Sequence, residues 1–386
     1  MPFRRLRRLH PFGRPSRRLR GTAIWLLVAV VAGGLAYTVT KNSTGPQGGS
    51  GSIGSTGPAG AARGAAPGRT PDGWRDWSVG RWLRGAADFV NPVVDGLWGP
   101  ERMAGATEAE RSFDGREMPR GVSDPEPDAV PARPVARPYG EQAPTAGRLF
   151  FDTPKGPAAC SGTVVRDPAH PGRSNLVWTA GHCVHSGKDG GWLRNIVFVP
   201  GFDKRGPAPL GGRDTAAPLG IWWADWAQTS QQWIDHGTSS AGAGAAFDFA
   251  VLHVRQAVGA RQSLEETAGA AAEVGFDAEL TGSRGPVDVV GYPAGRPFDG
   301  SSLFHCADRP GSFSVAADQP DMYRMGCTMT EGSSGGGWLV RRGDGGLVLV
   351  SNTSLGSRPA AWLAGPHLGA DARRVLTNVS RRFAGG

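Results

Sequence analysis

The chain has 386 residues, with 42 lysines and arginines against 34 acidic residues, and its formal net charge is +8 at pH 7. The excess lies in residues 1–20, which hold eight arginines and no acid, whereas residues 145–386 hold 22 basic and 21 acidic side chains. The long C-terminal part is therefore nearly neutral, without a basic stripe interleaved with aromatic residues. This distribution argues against nucleic acid as a partner.

Residues 1–20 form a basic tip that we expect to stay in the cytoplasm. Residues 21–40, "GTAIWLLVAVVAGGLAYTVT", carry no charge and are long enough to cross a bilayer as a helix. They are either a transmembrane anchor or the hydrophobic region of a signal, with Gly34-Leu35-Ala36 as a possible cleavage site. In both cases the rest of the chain is predicted to be extracellular or in the cell envelope, on the outer face of the cytoplasmic membrane. The membrane is a partner through residues 21–40 if they are not removed.

Residues 41–146 are rich in glycine and proline, which predicts a largely disordered linker or a pro-segment. Within them, apolar residues recur with a helical period and predict a short helical stretch at 79–98, with a kink at Asn91-Pro92. We interpret this stretch as a helical spacer. A pro-segment that docks on the following domain and a helix on the membrane surface are the alternatives.

From residue 147 to residue 386 the pattern changes to short runs of β-branched and aromatic residues separated by turn residues, such as "GRLFFD", "NLVWT" and "GLVLVSN". Many strands with little helix predict an all-β domain. Two short helices are expected. "SLEETAGAA" opens with a capping box formed by Ser263 and Glu266, and "DARRVLTNVSRR" lies near the C-terminus.

The four cysteines, Cys160, Cys183, Cys306 and Cys327, all lie in this domain, and an oxidising compartment makes them candidates for disulfides. Four cysteines allow three connectivities. Local pairing, Cys160 with Cys183 and Cys306 with Cys327, would close two short loops, each adding roughly 3 kcal/mol in the chain-entropy model.

The stretch "CTMTEGSSGGGW", residues 327–338, places Ser334 among glycines. A serine hydroxyl needs an adjacent base to become a nucleophile. Glycines beside it allow a sharp turn that directs backbone N–H groups at one point, as a developing oxyanion requires. A nucleophile elbow of the α/β-hydrolase type is disfavoured, because "GGWLVRRGDGGLVLV" predicts two strands rather than a helix after the serine.

A base and its carboxylate partner are found upstream. His182 follows the apolar strand "NLVW", beside Cys183, and an imidazole is the usual general base near neutral pH. Asp248 interrupts the apolar run "AAFDFAVLHV", where a buried carboxylate needs a partner such as this histidine.

A metal site at His182, Cys183 and His185 is disfavoured, because the region holds no second cluster at ligand spacing and the compartment favours disulfides. We therefore expect no metal and no cofactor.

Three segments in order, "TAGHC", "DFAVL" and "GSSGG", resemble the histidine, aspartate and serine segments of chymotrypsin-like (trypsin-like) serine peptidases. The surrounding text, including "CSGTVV" and "VVGYPAG", is more similar to the bacterial secreted branch with glutamyl endopeptidases. The resemblance implies two packed six-stranded β-barrels with the site between them. It implies that His182 is the base, that Asp248 orients it and that Ser334 attacks. The backbone N–H groups of Gly332 and Ser334 would then form the oxyanion hole.

The sequence also departs from that family. Ser333 stands where many animal relatives carry an acid that pairs with a newly cut N-terminus, so that activation switch is not expected. The resemblance places Thr328 at the base of the substrate pocket, where trypsins carry an acid, and Ser351 at the strand edge as the serine that bonds the aspartate. No histidine occupies "VLVSNTS", so specificity for glutamate is not supported.

The sequence thus favours an extracytoplasmic serine endopeptidase that acts on polypeptides through an acyl-enzyme, as a monomer. A catalytically silent protease-like domain that binds a partner at the cell envelope, and an esterase with the same three residues, are the alternatives.

Overall fold

The computed structural model describes residues 89–108, 112–114, 123–188, 190–204, 216–238, 242, 244–257, 261–281, 285–316 and 319–385. The pattern of contacts divides the chain into Met1–Ala65 and Ala66–Gly386. The basic tip, the segment 21–40 and the predicted linker up to residue 88 lie outside the described residues. Among the helices of the described part, none is both long and apolar enough to cross a membrane.

The described chain is mostly strand. The strands are β1 (Thr107–Glu108), β2 (Ser112–Asp114), β3 (Arg133–Pro134), β4 (Ala146–Thr153), β5 (Gly156–Val165), β6 (Leu176–Thr179), β7 (Arg194–Pro200), β8 (Trp222–Thr229), β9 (Ala250–Gln256), β10 (Glu273–Val274), β11 (Val287–Gly291), β12 (Phe304–Asp308), β13 (Gly311–Phe313), β14 (Met322–Gly326), β15 (Gly337–Arg341), β16 (Leu347–Asn352), β17 (Leu355–Arg358) and β18 (Trp362–Pro366). The helices are α1 (Pro100–Ala104), α2 (Tyr139–Gln142), α3 (Gln231–His236), α4 (Leu264–Ala268) and α5 (Ala370–Arg382).

The first half is a closed barrel of six strands. They are hydrogen-bonded in the order β5, β4, β7, β8, β9, β6, and β6 pairs back with β5. Closure removes the exposed strand edges, which are otherwise open to pairing with other chains. β1 adds to the outside of β5 as a short parallel strand. The barrel interior is filled by apolar side chains, among them Leu149, Phe198 and Leu252.

The second half consists of two packed sheets. One has the order β10, β16, β15, β11, β12, β3, and the other has the order β13, β14, β18, β17, β2. A single apolar core joins six of these strands, with Val289, Cys306, Met325, Trp338, Val350 and Leu363 as members, one from each strand. The predicted all-β class is therefore confirmed, with one closed six-stranded barrel; in place of a second six-stranded barrel, the second half has sheets of six and five strands.

The two helices expected from sequence are present. α4 has the complete capping box, in which the Ser263 side chain accepts from the Glu266 N–H and the Glu266 side chain accepts from the Ser263 N–H. α5 buries Ala372, Val375 and Val379 on one face, and this face joins the core cluster between the halves. Spacings of three and four residues place these side chains on the same side of a helix.

The helical stretch expected at 79–98 does not extend into its described residues, 89–98. Residues 79–88 lie outside the described part, and residues 89–98 form extended chain and turns before α1. Nor is this part a spacer covered only by its own neighbours. Val94, Trp98 and Met103 are at most 3% exposed and belong to the core of the domain. Of the alternatives, a segment that docks on the following domain agrees with these contacts.

Candidate active site

His182 lies in a single 3₁₀ turn, Gly181–Cys183, directly after β6 and Ala180. The turn packs tightly, since a Cβ at Gly181 would lie 2.8 Å from the Thr229 hydroxyl and 2.9 Å from the Trp233 ring. The disulfide Cys160–Cys183 ties the end of this turn to β5. The position of the histidine is thus fixed by the packing at Gly181 before it and by the disulfide at Cys183 after it.

Asp248 follows the 3₁₀ turn Ala245–Phe247 and precedes β9. Its side chain is fully buried, so its carboxylate requires donors from the protein. Oδ1 accepts from the His182 backbone N–H at 2.8 Å, and Oδ2 lies 2.8 Å from His182 Nδ1. The Ser354 hydroxyl donates to Oδ2 at 2.6 Å. The imidazole is therefore fixed in position by the carboxylate.

This contact also sets the tautomer of His182. The carboxylate accepts hydrogen bonds, so Nδ1 carries the proton and donates it, which leaves the lone pair on Nε2. Nε2 is buried and has no hydrogen-bond partner among the described residues. A buried nitrogen without a partner is unfavourable unless it serves another purpose. It is available to accept a proton.

The loop that carries Ser334 packs against the residues before His182. Gly335 has φ of +77°, and a Cβ there would lie 2.1 Å from the Thr179 hydroxyl and 2.9 Å from the Ala180 nitrogen. The Gly335 N–H donates to the Thr353 carbonyl, next to Ser354, and the Ser161 N–H donates to the Ser334 carbonyl. Close packing of this kind is possible at glycine alone. The structure contains no hydrogen bond between the Ser334 hydroxyl and His182, although it brings their loops into contact.

Two backbone N–H groups beside Ser334 have no acceptor in the described part of the chain, those of Gly332 and of Ser334 itself. Gly332 has φ of +93°, which favours glycine, and its carbonyl accepts from the Ser161 hydroxyl at 2.9 Å. The same hydroxyl accepts from the Tyr292 N–H. Ser161 therefore fixes the orientation of the Gly332 residue from the first half of the molecule.

A cleft of about 280 Å³ opens beside Ser334. Its charged lining residues are Arg296, Glu331 and Arg358, and Glu331 Oε1 lies 2.6 Å from Arg358 Nη2. The lining residues that are most deeply buried are uncharged: Met329, Ser333, Ser334, Thr353, Leu355 and Leu363. The cleft thus combines a charged rim with a neutral interior.

Thr328 and Ser351 are not among the residues that line this cleft. The Thr328 hydroxyl accepts from the Ala132 N–H, and the buried Ser351 hydroxyl donates to the Pro366 carbonyl. The serine that bonds Asp248 is Ser354, so the assignment of that role to Ser351 was wrong. Ser354 lies beyond the end of β16, where the alternation of the strand no longer fixes the side-chain direction.

A second residue that sequence reasoning missed is Asn352. Its side chain accepts from the Trp178 ring N–H at 2.9 Å and donates to the Asp248 carbonyl at 3.0 Å. It thereby joins β6, Asp248 and β16. No local signal in "VSNTS" distinguishes it from an ordinary turn asparagine.

His185 lies in the loop after His182 and is buried. Its Nδ1 accepts from the Gly187 N–H, and its ring meets the Trp192 ring edge-on at 5.0 Å. Burial lowers the pKa of His185 to about 4. This histidine is therefore neutral near pH 7.

The cysteines pair locally, Cys160 with Cys183 and Cys306 with Cys327. One group of potential metal ligands consists of the two sulfurs of the first pair and a ring nitrogen of His182, within 4.8 Å of one another. Both sulfurs are bonded to each other, so neither is available as a thiolate ligand.

No protein-family model matches the chain, and no curated protein matches it. Among solved structures, it is 29% identical to the thermostable serine protease AL20 from an extremophilic microorganism, with a TM-score of 0.50 over 62% of this chain and 98% of that one. Protease Anisep from Arthrobacter nicotinovorans aligns at 26% identity and a TM-score of 0.49, covering 64% of this chain and 97% of that one. A Glu endopeptidase in complex with MPD aligns at 16% identity and a TM-score of 0.46, covering 66% of this chain and 99% of that one.

The similarity to AL20 supports the assignment of the fold. The chain has the fold of the chymotrypsin-like serine peptidases, and the resemblance found in its sequence is confirmed. Its structural neighbours are serine proteases, which supports a hydrolase that acts on polypeptides.

Proposed function

We propose that this protein is a serine endopeptidase that cleaves peptide bonds through an acyl-enzyme, with His182, Asp248 and Ser334 as its catalytic residues. The observation that carries the proposal is the buried carboxylate of Asp248, which accepts from both the Nδ1 and the backbone N–H of His182. This leaves the lone pair of Nε2 free as a base, and the loop of Ser334 packs against Thr179 and Ala180, just before this histidine.

In the proposed reaction, the Ser334 oxygen forms a bond to the substrate carbonyl carbon while its proton passes to His182 Nε2. The carboxylate of Asp248 stabilises the resulting imidazolium. The N–H groups of Gly332 and Ser334 donate to the oxyanion, an interaction typically worth about 3 kcal/mol per donor. The proton on Nε2 then moves to the leaving amine as the C–N bond breaks. Water, activated by the same histidine, hydrolyses the ester and regenerates the hydroxyl.

The cleft beside Ser334 is the proposed site for a substrate side chain. Met329, Leu355 and Leu363 offer apolar contacts within it, and its buried polar side chains besides Ser334 are the uncharged Ser333, Thr353 and Ser357. Burying an unpaired charge against such a surface costs several kcal/mol. The cleft therefore favours an uncharged side chain.

The proposed location is outside the cytoplasm, in the cell envelope or secreted. Two disulfides support it, because they persist in oxidising compartments, and so does the apolar segment 21–40. The proposed catalytic groups all come from one chain, so they require no second subunit.

A fluorophosphonate probe tests the proposal on the full chain. The probe should label wild type on Ser334, located by mass spectrometry, and hydrolysis of casein should fall by at least about 10⁴-fold in Ser334→Ala. Ser314→Ala is the matched control, since its hydroxyl donates to the Ala316 carbonyl and does not line the cleft. Labelling that persists in Ser334→Ala would show that the nucleophile is a different residue.

The choice of substrate separates the alternatives. A silent binding domain would not be labelled, and an esterase would hydrolyse a short-chain ester but not casein. In a peptide library, we expect cleavage after uncharged residues in preference to lysine, arginine, aspartate or glutamate.

A further inference from the structure

Residues 123–134, which we call the arm, precede the domain predicted from sequence and lie along its second half. At its start, the Asp124 N–H donates to the Ser312 carbonyl, and the Asp124 carboxylate accepts from the Ser312 N–H. At its end, β3 pairs with β12. The arm therefore adds to the edges of both sheets of this half.

At its start the arm also contacts the buried cation of β14. Arg324 is 2% exposed, and its guanidinium lies over the rings of Phe313 and Trp362. It donates to the Asp124 carbonyl at 2.5 Å. Burial lowers the pKa of Arg324, and the nearby carboxylates of Asp124 and Glu126 oppose that shift. A buried cation needs such partners, and the arm supplies them.

The arm also bonds the segment that leads from β14 to Ser334. The Thr328 N–H donates to the Val130 carbonyl, and the Ala132 N–H donates to the Thr328 hydroxyl, both at 2.9 Å. Just before Thr328, a Cβ at Gly326 would lie 2.0 Å from the Asp128 carbonyl oxygen. This close approach leaves no space for a side chain at position 326.

The segment held in this way is the one that forms the site. Met329 follows Thr328 and lines the cleft, Glu331 stands at its rim, and Gly332 carries one of the N–H groups without an acceptor. Of the residues that the arm bonds, Thr328 is therefore the one nearest in sequence to these groups. Its side chain was expected in the substrate pocket and instead bonds the arm.

We propose that the arm is a positioning element of the active site, which holds residues 328–332 through its pair of hydrogen bonds with Thr328. The proposal rests on the proposed function. In the relatives that carry an acid at the position of Ser333, a newly cut N-terminus pairs with that acid. In this chain the arm, which precedes the domain in sequence, has the corresponding role through its bonds with Thr328. The chain therefore needs the arm attached to the domain for full activity.

Thr328→Val in the full chain tests the proposal, because valine keeps the shape of threonine and removes the acceptor for the Ala132 N–H. We expect the second-order rate constant of Ser334 labelling to fall about tenfold. With casein as the substrate, kcat should fall while KM changes less. Thr328→Ser should restore the rate, since it retains the hydroxyl. Ala132→Pro removes the donor from the arm itself. It should give a similar loss of labelling rate. When the losses are expressed as free energies, the loss in the double variant should be smaller than the sum of the two single losses.

Thr107→Val is the matched control, since it also removes a hydroxyl that donates from the N-terminal region, to the Pro157 carbonyl of the first half. It should label at the wild-type rate. Active-site titration counts the molecules that can react with the probe. Each labelling rate is divided by this number, so that it refers to folded protein. If Thr328→Val lowers the number of titratable sites but not the rate per site, the arm acts on folding alone and the proposal is wrong. If wild type itself is not labelled, the proposed function fails instead.

Discussion

The carboxylate of Asp248 receives donors from two distant parts of the chain, His182 in the first half and Ser354 in the second. A hydrogen bond to a charged group contributes about 1.5–3 kcal/mol. The Ser354 hydroxyl and His182 Nδ1 both bond Oδ2, so removing the hydroxyl takes away a donor that holds this oxygen opposite Nδ1 and weakens the orientation of the carboxylate. The geometry of the proposed base thus depends on a residue that does not line the cleft.

Ser354→Ala is therefore expected to lower kcat/KM on casein by about tenfold without unfolding the protein. Ser351→Ala is the comparison, because it removes a similarly buried hydroxyl that bonds the Pro366 carbonyl rather than Asp248. It should change stability and leave kcat/KM within about threefold of wild type. Equal losses of activity in the two variants would contradict the role assigned to Ser354.

His185 provides a prediction on pH. Its pKa is about 4 in the folded protein, against an ordinary value of 6.5 that the unfolded chain should show. Between these values the unfolded state binds a proton that the folded state does not, so the free energy of unfolding decreases as pH falls from 6.5 to 4. In His185→Asn, whose amide oxygen can accept from the Gly187 N–H, this part of the decrease should disappear. Urea unfolding from pH 4 to 7.5 measures it, and parallel curves for the two proteins would contradict it.

At the scale of single residues, the sequence predicted the polar groups that lie within characteristic local patterns. Asp248 was identifiable because it interrupts an apolar run, and His182 because it follows an apolar strand beside a cysteine. Ser354 and Ser351 are three residues apart in the same stretch, and local pattern does not separate them. The choice depends on where β16 ends, which is set by its pairing with β15 and by the irregular register between Trp338 and Leu339.

At the scale of elements, the sequence predicted the helices whose stabilising contacts lie within the helix itself. α4 begins with a capping box whose two hydrogen bonds join residues three apart, so the sequence contains everything it needs. α5 likewise carries its apolar face in its own spacing. Both helices were predicted for these reasons and are confirmed.

The apolar period predicted at 79–98 lies mostly in residues 79–88, outside the described part, and the described residues from 89 on are held extended by the barrel. The Asn91 side chain donates to the carbonyls of Ile196 and Ala224 and accepts from the Ile196 N–H. Three hydrogen bonds to β7 and β8 hold this residue in an extended segment, and Pro92 opposes a helix through it. The break expected at Asn91-Pro92 thus coincides with contacts over more than a hundred positions, and such contacts cannot be read from a single sequence.

At the scale of the whole molecule, the described N-terminal segments wrap both halves. Phe89 meets the edges of Trp192 and Trp226 on the barrel, and the Trp98 ring N–H donates to the Asn195 carbonyl at 2.6 Å. The arm lies on the second half. The composition of residues 41–146 indicated a linker, because glycine and proline are common there. The few large apolar residues at its end nevertheless supply part of the core.

The boundary of the folding unit follows from this packing. A fragment of residues 147–386 lacks Val94, Trp98 and Met103, which fill the core against Phe150 and its neighbours. Loss of a buried tryptophan side chain alone costs about 3–5 kcal/mol, and a typical domain has about 5–15 kcal/mol in total. We expect the fragment 89–386 to unfold cooperatively in urea and to show a near-UV circular dichroism spectrum of fixed aromatic rings. The fragment 147–386 should lose most of that spectrum, and Trp98→Ala in the longer fragment should fall between the two. Equal urea midpoints for both fragments would show that residues 89–146 contribute nothing to the fold.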